Sequence, residues 1–150
     1  MPTTAETSQS LRAALDAARA RMATWTDAHT AEKWRGADTW SRKEILGHLI
    51  DSASNNHQRF VRAAIDGEYE GPGYMQEEWN RVGGYQTFRW STLLSLWTNY
   101  NLLIAHVLEN VPVDKGKGIC KVAENPPVTL EFLAEDYVAH LQHHLNQMFS

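Results

Sequence analysis

Apolar residues recur every three or four positions in four stretches of the chain, the spacing that places them on one face of an α-helix. These stretches cover residues 6 to about 25, 41 to about 66, about 86 to 110, and 129 to near the C-terminus. Strand-like alternation is negligible, although residues 119–122 could form a short extended piece. The pattern therefore predicts four helices, preceded by a loose arm at residues 1–5.

Helix-terminating residues support these boundaries. Ser41 and Glu44 have the spacing of a capping box, in which each side chain bonds the other residue's amide at the start of a helix. Gly67 follows the same stretch, and glycine commonly ends helices. Thr129 comes after two prolines and is a good N-cap for the last helix.

Four amphipathic helices of about 20 residues predict an all-α four-helix bundle. A chain of 150 residues is most simply one domain, spanning 1–150. The connections at residues 67–85 and 111–128 are long, so neighbouring helices need not alternate in direction. Residues 26–40 show no periodicity and are predicted to form a loop held down by Trp34 and Trp40.

Composition excludes several classes of function. The formal net charge of −4 disfavours nucleic-acid binding, which depends on neutralising phosphates with Lys and Arg. No apolar run reaches the length of about 18 residues that a membrane span requires. The N-terminal residues lack the apolar segment of a signal peptide. The lone Cys120 cannot form an internal disulfide, and we therefore expect a cytoplasmic protein.

The last helix carries a candidate metal-binding pair. His140 and His144 are four residues apart and project toward the apolar face, whereas His143 projects away from it. Two neutral imidazoles one turn apart suit transition metals such as Zn, Ni, Cu or Fe. A zincin-type protease is disfavoured, because Leu141 stands where that motif has its glutamate.

The spacing leaves the third ligand open. A single inward-facing histidine is more often a hydrogen-bonded core residue than a ligand. The candidates are His29, His48, His57 and His106, of which His48 is the best placed, beside apolar positions early in the second helix. Cys120 is expected to be an incidental thiol.

A polar row runs beside the apolar face of the second helix. This row is either a solvated surface or the lining of a wet pocket, and it comprises His48, Ser52, Asn55, Asn56 and Arg59. We predict a pocket containing Ser52, Asn55 and Arg59, together with Trp97 and Asn101 of the third helix. Asp51 and Asp136 each lie one turn from a candidate ligand. They are predicted to orient an imidazole or to supply a fourth ligand.

Two motifs resemble those of the DinB/YfiT-like superfamily. Residues 40–51, WSRKEILGHLID, resemble its second-helix motif, and residues 137–147, YVAHLQHHLNQ, resemble its fourth-helix motif. The resemblance implies an up-down-down-up bundle with long crossovers. It also implies a divalent metal held by His48, His140 and His144, and a homodimer in many members.

The resemblance also suggests a function. Better-understood members look like transferases that use a low-molecular-weight thiol as cosubstrate. We therefore expect a metal-dependent enzyme, a thiol-dependent S-transferase or a hydrolase, that acts on a small molecule with Zn, Ni or Fe. The alternatives are a non-catalytic metal-binding stress-response module, which predicts a fourth protein ligand and no pocket, and a dimerisation scaffold without a metal.

Overall fold

The computed structural model describes residues 1–150 and contains six α-helices, two short 3-10 helices and three short strands. The helices are α1 (Thr4–Met22), α2 (Asp27–Ala31), α3 (Arg42–Asp66), α4 (Gln76–Gly83), α5 (Trp90–Glu109) and α6 (Leu130–Met148). The strands are β1 (Glu68–Gly71), β2 (Ile119–Val122) and β3 (Val128–Thr129). Helices α1, α3, α5 and α6 correspond to the four predicted helices and form the bundle.

Contacts at the helix ends fix the direction of α5. The Ser8 hydroxyl near the start of α1 donates to the Ala105 carbonyl near the end of α5, at 2.8 Å. At the other end, the Trp90 indole donates to the Met22 carbonyl at 2.9 Å. Helices α1 and α5 are therefore antiparallel.

Two further contacts fix α3 and α6. The Arg42 Nε at the start of α3 donates to the Met148 carbonyl at the end of α6, at 2.8 Å, so these two helices are antiparallel. Asp27 Oδ1 accepts from the Trp90 amide and pairs with the Lys43 Nζ, which places the first turns of α3 and α5 side by side. The bundle is thus up-down-down-up, and the predicted fold is confirmed.

The core is apolar and closely packed, and it is built from the faces that the periodicity predicted. Its largest buried side chains include Trp97 and Phe60, both fully inaccessible to solvent. One polar pair lies among them, in which the Tyr137 hydroxyl donates to Asn101 Oδ1 at 2.5 Å. Both partners are satisfied there, as buried polar groups usually are.

The prediction of a loose arm at residues 1–5 is wrong. Thr3 caps α1 through a second capping box, in which its hydroxyl accepts from the Glu6 amide and the Glu6 carboxylate accepts from the Thr3 amide, both at 3.1 Å. Thr4 is buried against the bundle. The T-x-x-E spacing was visible in the sequence and marks where this helix begins.

Tertiary contacts account for the other boundary differences. Helix α5 begins at Trp90 rather than near residue 86, because the Asp27 carboxylate accepts its first amide from more than sixty positions away. The predicted loop at 26–40 contains α2, and the crossover at 67–85 contains α4. Gly84 ends α4 with φ of 60°, a conformation that glycine adopts without strain.

The expectation of negligible strand content also needs correction. Strand β2 matches the predicted extended piece, pairing parallel to β1 and antiparallel to β3. Strands of two to four residues are too short to show alternation in the sequence. The sheet joins the two long connections and leads directly into α6. None of the helices has the length and apolarity needed to cross a membrane.

Replacing the α3 cap should destabilise the fold. The Ser41 hydroxyl accepts from the Glu44 amide at 3.2 Å and donates to Gln86 Oε1. Because Ser41→Ala removes both bonds, it should lower the free energy of unfolding by about 1–2 kcal/mol in urea titrations. Ser54→Ala removes the same hydroxyl from the middle of α3 and should have an effect below about 0.5 kcal/mol. Equal losses in both variants would show that the cap is unimportant.

Candidate metal centre

His48 lies in the second turn of α3 and is almost completely buried, with 1% of its surface exposed. The Trp40 ring packs on its imidazole with a centroid separation of 4.9 Å. This packing leaves the imidazole little freedom to change its orientation. Its Nε2 points toward α6, where it lies 3.1 Å from Nε2 of His140.

His140 and His144 project from successive turns of α6 and are half-buried. The centroid of the His48 ring lies 5.0 Å from that of His140 and 4.8 Å from that of His144, and the two α6 rings are 4.6 Å apart. One nitrogen from each ring lies within 4.8 Å of the other two. The structure therefore brings the three predicted ligands together.

The arrangement fits a divalent transition-metal ion. Tetrahedral ligands bonded at 2.0–2.1 Å are separated from each other by about 3.3 Å, close to the 3.1 Å between His48 and His140. The three converging imidazole nitrogens each carry a lone pair and find few hydrogen-bond donors among themselves. A single cation would bind all three lone pairs. In addition, His48 Nδ1 is buried without a hydrogen-bond partner, which indicates that stability alone did not place this ring.

Gln147 fixes the orientation of one imidazole. Nδ1 of His144 lies 2.7 Å from the Gln147 Oε1. An amide oxygen only accepts hydrogen bonds, so Nδ1 carries the proton and Nε2 keeps the free lone pair. Outer contacts of this kind are characteristic of histidines that bind metals.

Burial keeps the three imidazoles neutral. Desolvation, followed by repulsion from the other two rings, lowers the pKa of His48 to about 3. Desolvation, followed by repulsion from His144, lowers the pKa of His140 to about 4, against an opposing effect of the Asp136 carboxylate. Burial also lowers the pKa of His144. Neutral imidazole is the form that binds a cation.

Neither predicted carboxylate joins the cluster. Asp51 is buried on α3, where its Oδ1 accepts from the Tyr85 hydroxyl at 2.5 Å and its Oδ2 has no partner. Burial raises the pKa of Asp51. Tyr85 reaches it because residue 47 is glycine; a Cβ there would lie 2.0 Å from the tyrosine ring. Asp136 is exposed, and the converging set contains three imidazoles and no carboxylate.

A cavity of about 180 Å³ opens beside His140, which forms part of its lining. Ser52 and Arg59 line it, so the polar row of α3 is partly a cavity wall. Asn55 lies outside it, since its amide donates to the Asp51 carbonyl at 2.9 Å. The prediction for Trp97 and Asn101 is wrong, because both are fully buried in the core.

The family follows from comparison with known proteins. The model of the DinB superfamily matches residues 11–148. The chain belongs to the DinB superfamily. The resemblance to this superfamily is thereby confirmed. Comparison with curated proteins gives no match.

A solved structure shows the same DinB fold. YfiT from Bacillus subtilis, described as a probable metal-dependent hydrolase with an unusual four-helix bundle topology, superposes with a TM-score of 0.83. The match covers 99% of this chain and 87% of YfiT, at 18% sequence identity. At that identity the likeness establishes the fold.

The other histidines of this DinB protein lie away from the cluster. His57 Nδ1 meets the Tyr100 hydroxyl at 3.2 Å, and His29 packs edge-on against Trp25. His106 and His143 are exposed, as the helix projection predicted for His143. Cys120 is buried in β2, where desolvation raises the pKa of its thiol to about 11, so it is no nucleophile at neutral pH.

Several residues near the site were not predicted. Tyr74 and Asn125 line the cavity from the two long connections, and Tyr85 packs against Asp51. No pattern in the sequence indicates these residues, because the connections lack periodicity. Gln147 was detectable, since it lies three residues after His144, within reach on the same helix face.

The metal-free protein should become less stable as the pH falls from about 7 to about 4. In the unfolded chain, His48 and His140 bind protons near the ordinary pKa of 6.5, whereas the folded protein keeps them neutral until about 3 and about 4. The unfolded state therefore takes up more protons, and acid favours unfolding. Urea titrations in the presence of a chelator measure this effect.

The matched variants isolate the buried rings. His48→Gln should show a smaller loss of stability with acid, whereas His106→Gln, at an exposed position, should keep the wild-type dependence. The same dependence on pH in the wild type and in His48→Gln would contradict the assignment of this effect to His48.

Proposed function

We propose that this DinB protein is a divalent-metal-dependent enzyme acting on a small molecule, with His48, His140 and His144 as the metal ligands. The observation that carries the proposal is the convergence of three neutral imidazole nitrogens within 4.8 Å of one another. These nitrogens come from two helices held rigidly by the bundle, so the site is preformed.

The absence of a fourth protein ligand favours catalysis over a structural role. Structural zinc sites usually have four protein ligands, whereas catalytic sites have three and an open position. The non-catalytic alternative predicted a fourth ligand and no pocket. The cluster instead contains three ligands, and His140 also lines the 180 Å³ cavity. Zn, Ni and Fe all suit imidazole ligands.

Hydrolysis and thiol-dependent transfer need the same centre. A bound divalent ion supplies a Lewis acid that lowers the pKa of a coordinated water or thiol toward neutrality. The protein's own residues hold that ion, keep their imidazoles deprotonated and shape the space beside it. The likeness to YfiT, a probable metal-dependent hydrolase, supports the hydrolase route, and the motif resemblance supports the thiol route. The thiol cosubstrate, the homodimer and a cytoplasmic location stay predictions.

The protein purified without a His-tag should contain about one transition-metal ion per chain. His48→Ala, His140→Ala and His144→Ala should each weaken metal binding by more than about 100-fold, because loss of a ligand should exceed the 10- to 100-fold cost of losing an outer contact. Elemental analysis and competition with a chromophoric chelator measure content and affinity.

His143→Ala is the matched control, since this exposed imidazole lies beside His144 on the same helix. It should leave the metal content unchanged. An unchanged metal affinity in all three ligand variants would refute the metal centre and favour the scaffold interpretation.

The choice between the two routes can be tested with cobalt. Adding a low-molecular-weight thiol to the Co²⁺-substituted protein should produce a new sulfur-to-cobalt absorption band if a thiol is the cosubstrate, since thiolates bind soft and borderline metals. An unchanged spectrum at saturating thiol would leave hydrolysis as the favoured route. Cys120→Ser should give the same result as the wild type, because this thiol is buried in β2.

A further inference from the structure

The cavity beside His140 contains a positive charge without a counter-ion. Arg59 projects from α3 and is only 8% exposed. Its nitrogens make two contacts, to Asn56 Oδ1 at 3.4 Å and to the Pro72 carbonyl at 3.3 Å. No carboxylate lies within 4.0 Å of the guanidinium, although six other ion pairs form in the chain.

This arrangement leaves most of the binding capacity of Arg59 unused. A guanidinium has five N–H donors in a planar fork, and both contacts that it makes here are long and to neutral oxygens. Burying a charge is costly unless the charge is paired. The planar fork binds carboxylates and phosphates with two parallel hydrogen bonds. An anionic ligand would therefore complete the surroundings of Arg59.

The other cavity walls are compatible with an anion. Ser52, Asn56, Tyr74 and Asn125 contribute neutral polar groups. Asp136 is the one carboxylate in the lining, and it is exposed to solvent rather than paired with Arg59. The Arg59 guanidinium is thus the one buried charge in the lining of this cavity.

A second cavity adjoins the first. It has a volume of about 340 Å³ and is mainly apolar, with Pro126, Val128 and Phe132 among its lining residues. The two cavities share four wall residues, which are Val122, Asn125, Leu133 and Asp136. A ligand with both an anionic group and an apolar part could thus occupy both spaces.

We propose that the ligand of this site is a small organic anion whose carboxylate or phosphate pairs with Arg59, while its apolar part lies in the adjoining cavity. The identification of this ligand as the substrate rests on the proposed metal-dependent function, since His140 lines the same cavity as Arg59. The anionic group is a binding handle, separate from the bond that reacts.

The test measures binding of hexanoate, hexyl phosphate and neutral hexanamide by calorimetry, to the metal-free and to the zinc-loaded protein. At least one anion should bind at least about tenfold more tightly than hexanamide, given the strength of charged hydrogen bonds. The anion that binds more tightly identifies the group. Arg59→Met should remove this preference, and Arg59→Lys should retain part of it. Arg62→Met, which removes the same charge one turn away at an exposed position, should bind like the wild type.

Three outcomes would overturn the proposal. In the first, Arg59→Met binds both anions as tightly as the wild type does. In the second, the wild type binds the anions no more tightly than hexanamide. In the third, neither anion binds. If the anions bind only in the presence of zinc and equally well to Arg59→Met and wild type, the anion is a metal ligand. That result is a case of the first outcome and overturns the proposal. Arg59→Lys retains a charge at this position and keeps the test decisive if Arg59→Met fails to fold.

The two proposals fail separately. If zinc does not bind but anions bind through Arg59 in the metal-free protein, the metal-dependent function is wrong and the anion site stands. If zinc binds through the three histidines but anion binding is independent of Arg59, the anion site is wrong and the metal-dependent function stands.

Discussion

The antiparallel packing of α3 against α6 is the constraint on which the site depends. The Arg42 side chain at the start of α3 bonds the Met148 carbonyl at the end of α6. Both helices rise by about 1.5 Å per residue from this contact. Position 48 lies six residues after Arg42, and position 142 lies six residues before Met148, so the two positions are at the same height in the bundle. Position 142 lies midway between His140 and His144, whose side chains share one face. The His48 ring is therefore directed between the other two.

This arrangement sacrifices some stability. The side-chain N and O atoms that are buried without a partner number four, and two of them, His48 Nδ1 and Asp51 Oδ2, lie within one turn of α3 beside the centre. Arg59, two turns further along, is buried without a counter-ion. The other two atoms, Thr7 Oγ1 and Trp97 Nε1, lie on α1 and α5, whereas Asn101 in the same core is fully bonded. Three incompletely paired polar groups on one helix, α3, favour selection for binding at this site.

The sequence predicted those features that depend on local spacing. Apolar periodicity located the four bundle helices, and the Ser41 box marked where α3 begins. The start of α5 was placed too early, because its first amide is capped by Asp27 from a distant segment. Helix projection showed that Trp97 and Asn101 face inward but gave no depth, so core residues were taken for a pocket wall. Spacing made His48 only the best placed of several histidines, and the choice came from the family's second-helix motif.

The origin of the cavity walls explains why the ligand was the hardest property to predict. The imidazoles come from bundle helices whose packing fixes their positions, whereas Tyr74, Asn125 and the Pro72 carbonyl that contacts Arg59 come from the two long connections. The small sheet joins these connections through β1 and β2, so both walls are positioned together. Rigid helices thus hold the reactive centre while irregular segments determine what fits beside it. A substitution in either connection would then change the preferred ligand without moving the three histidines.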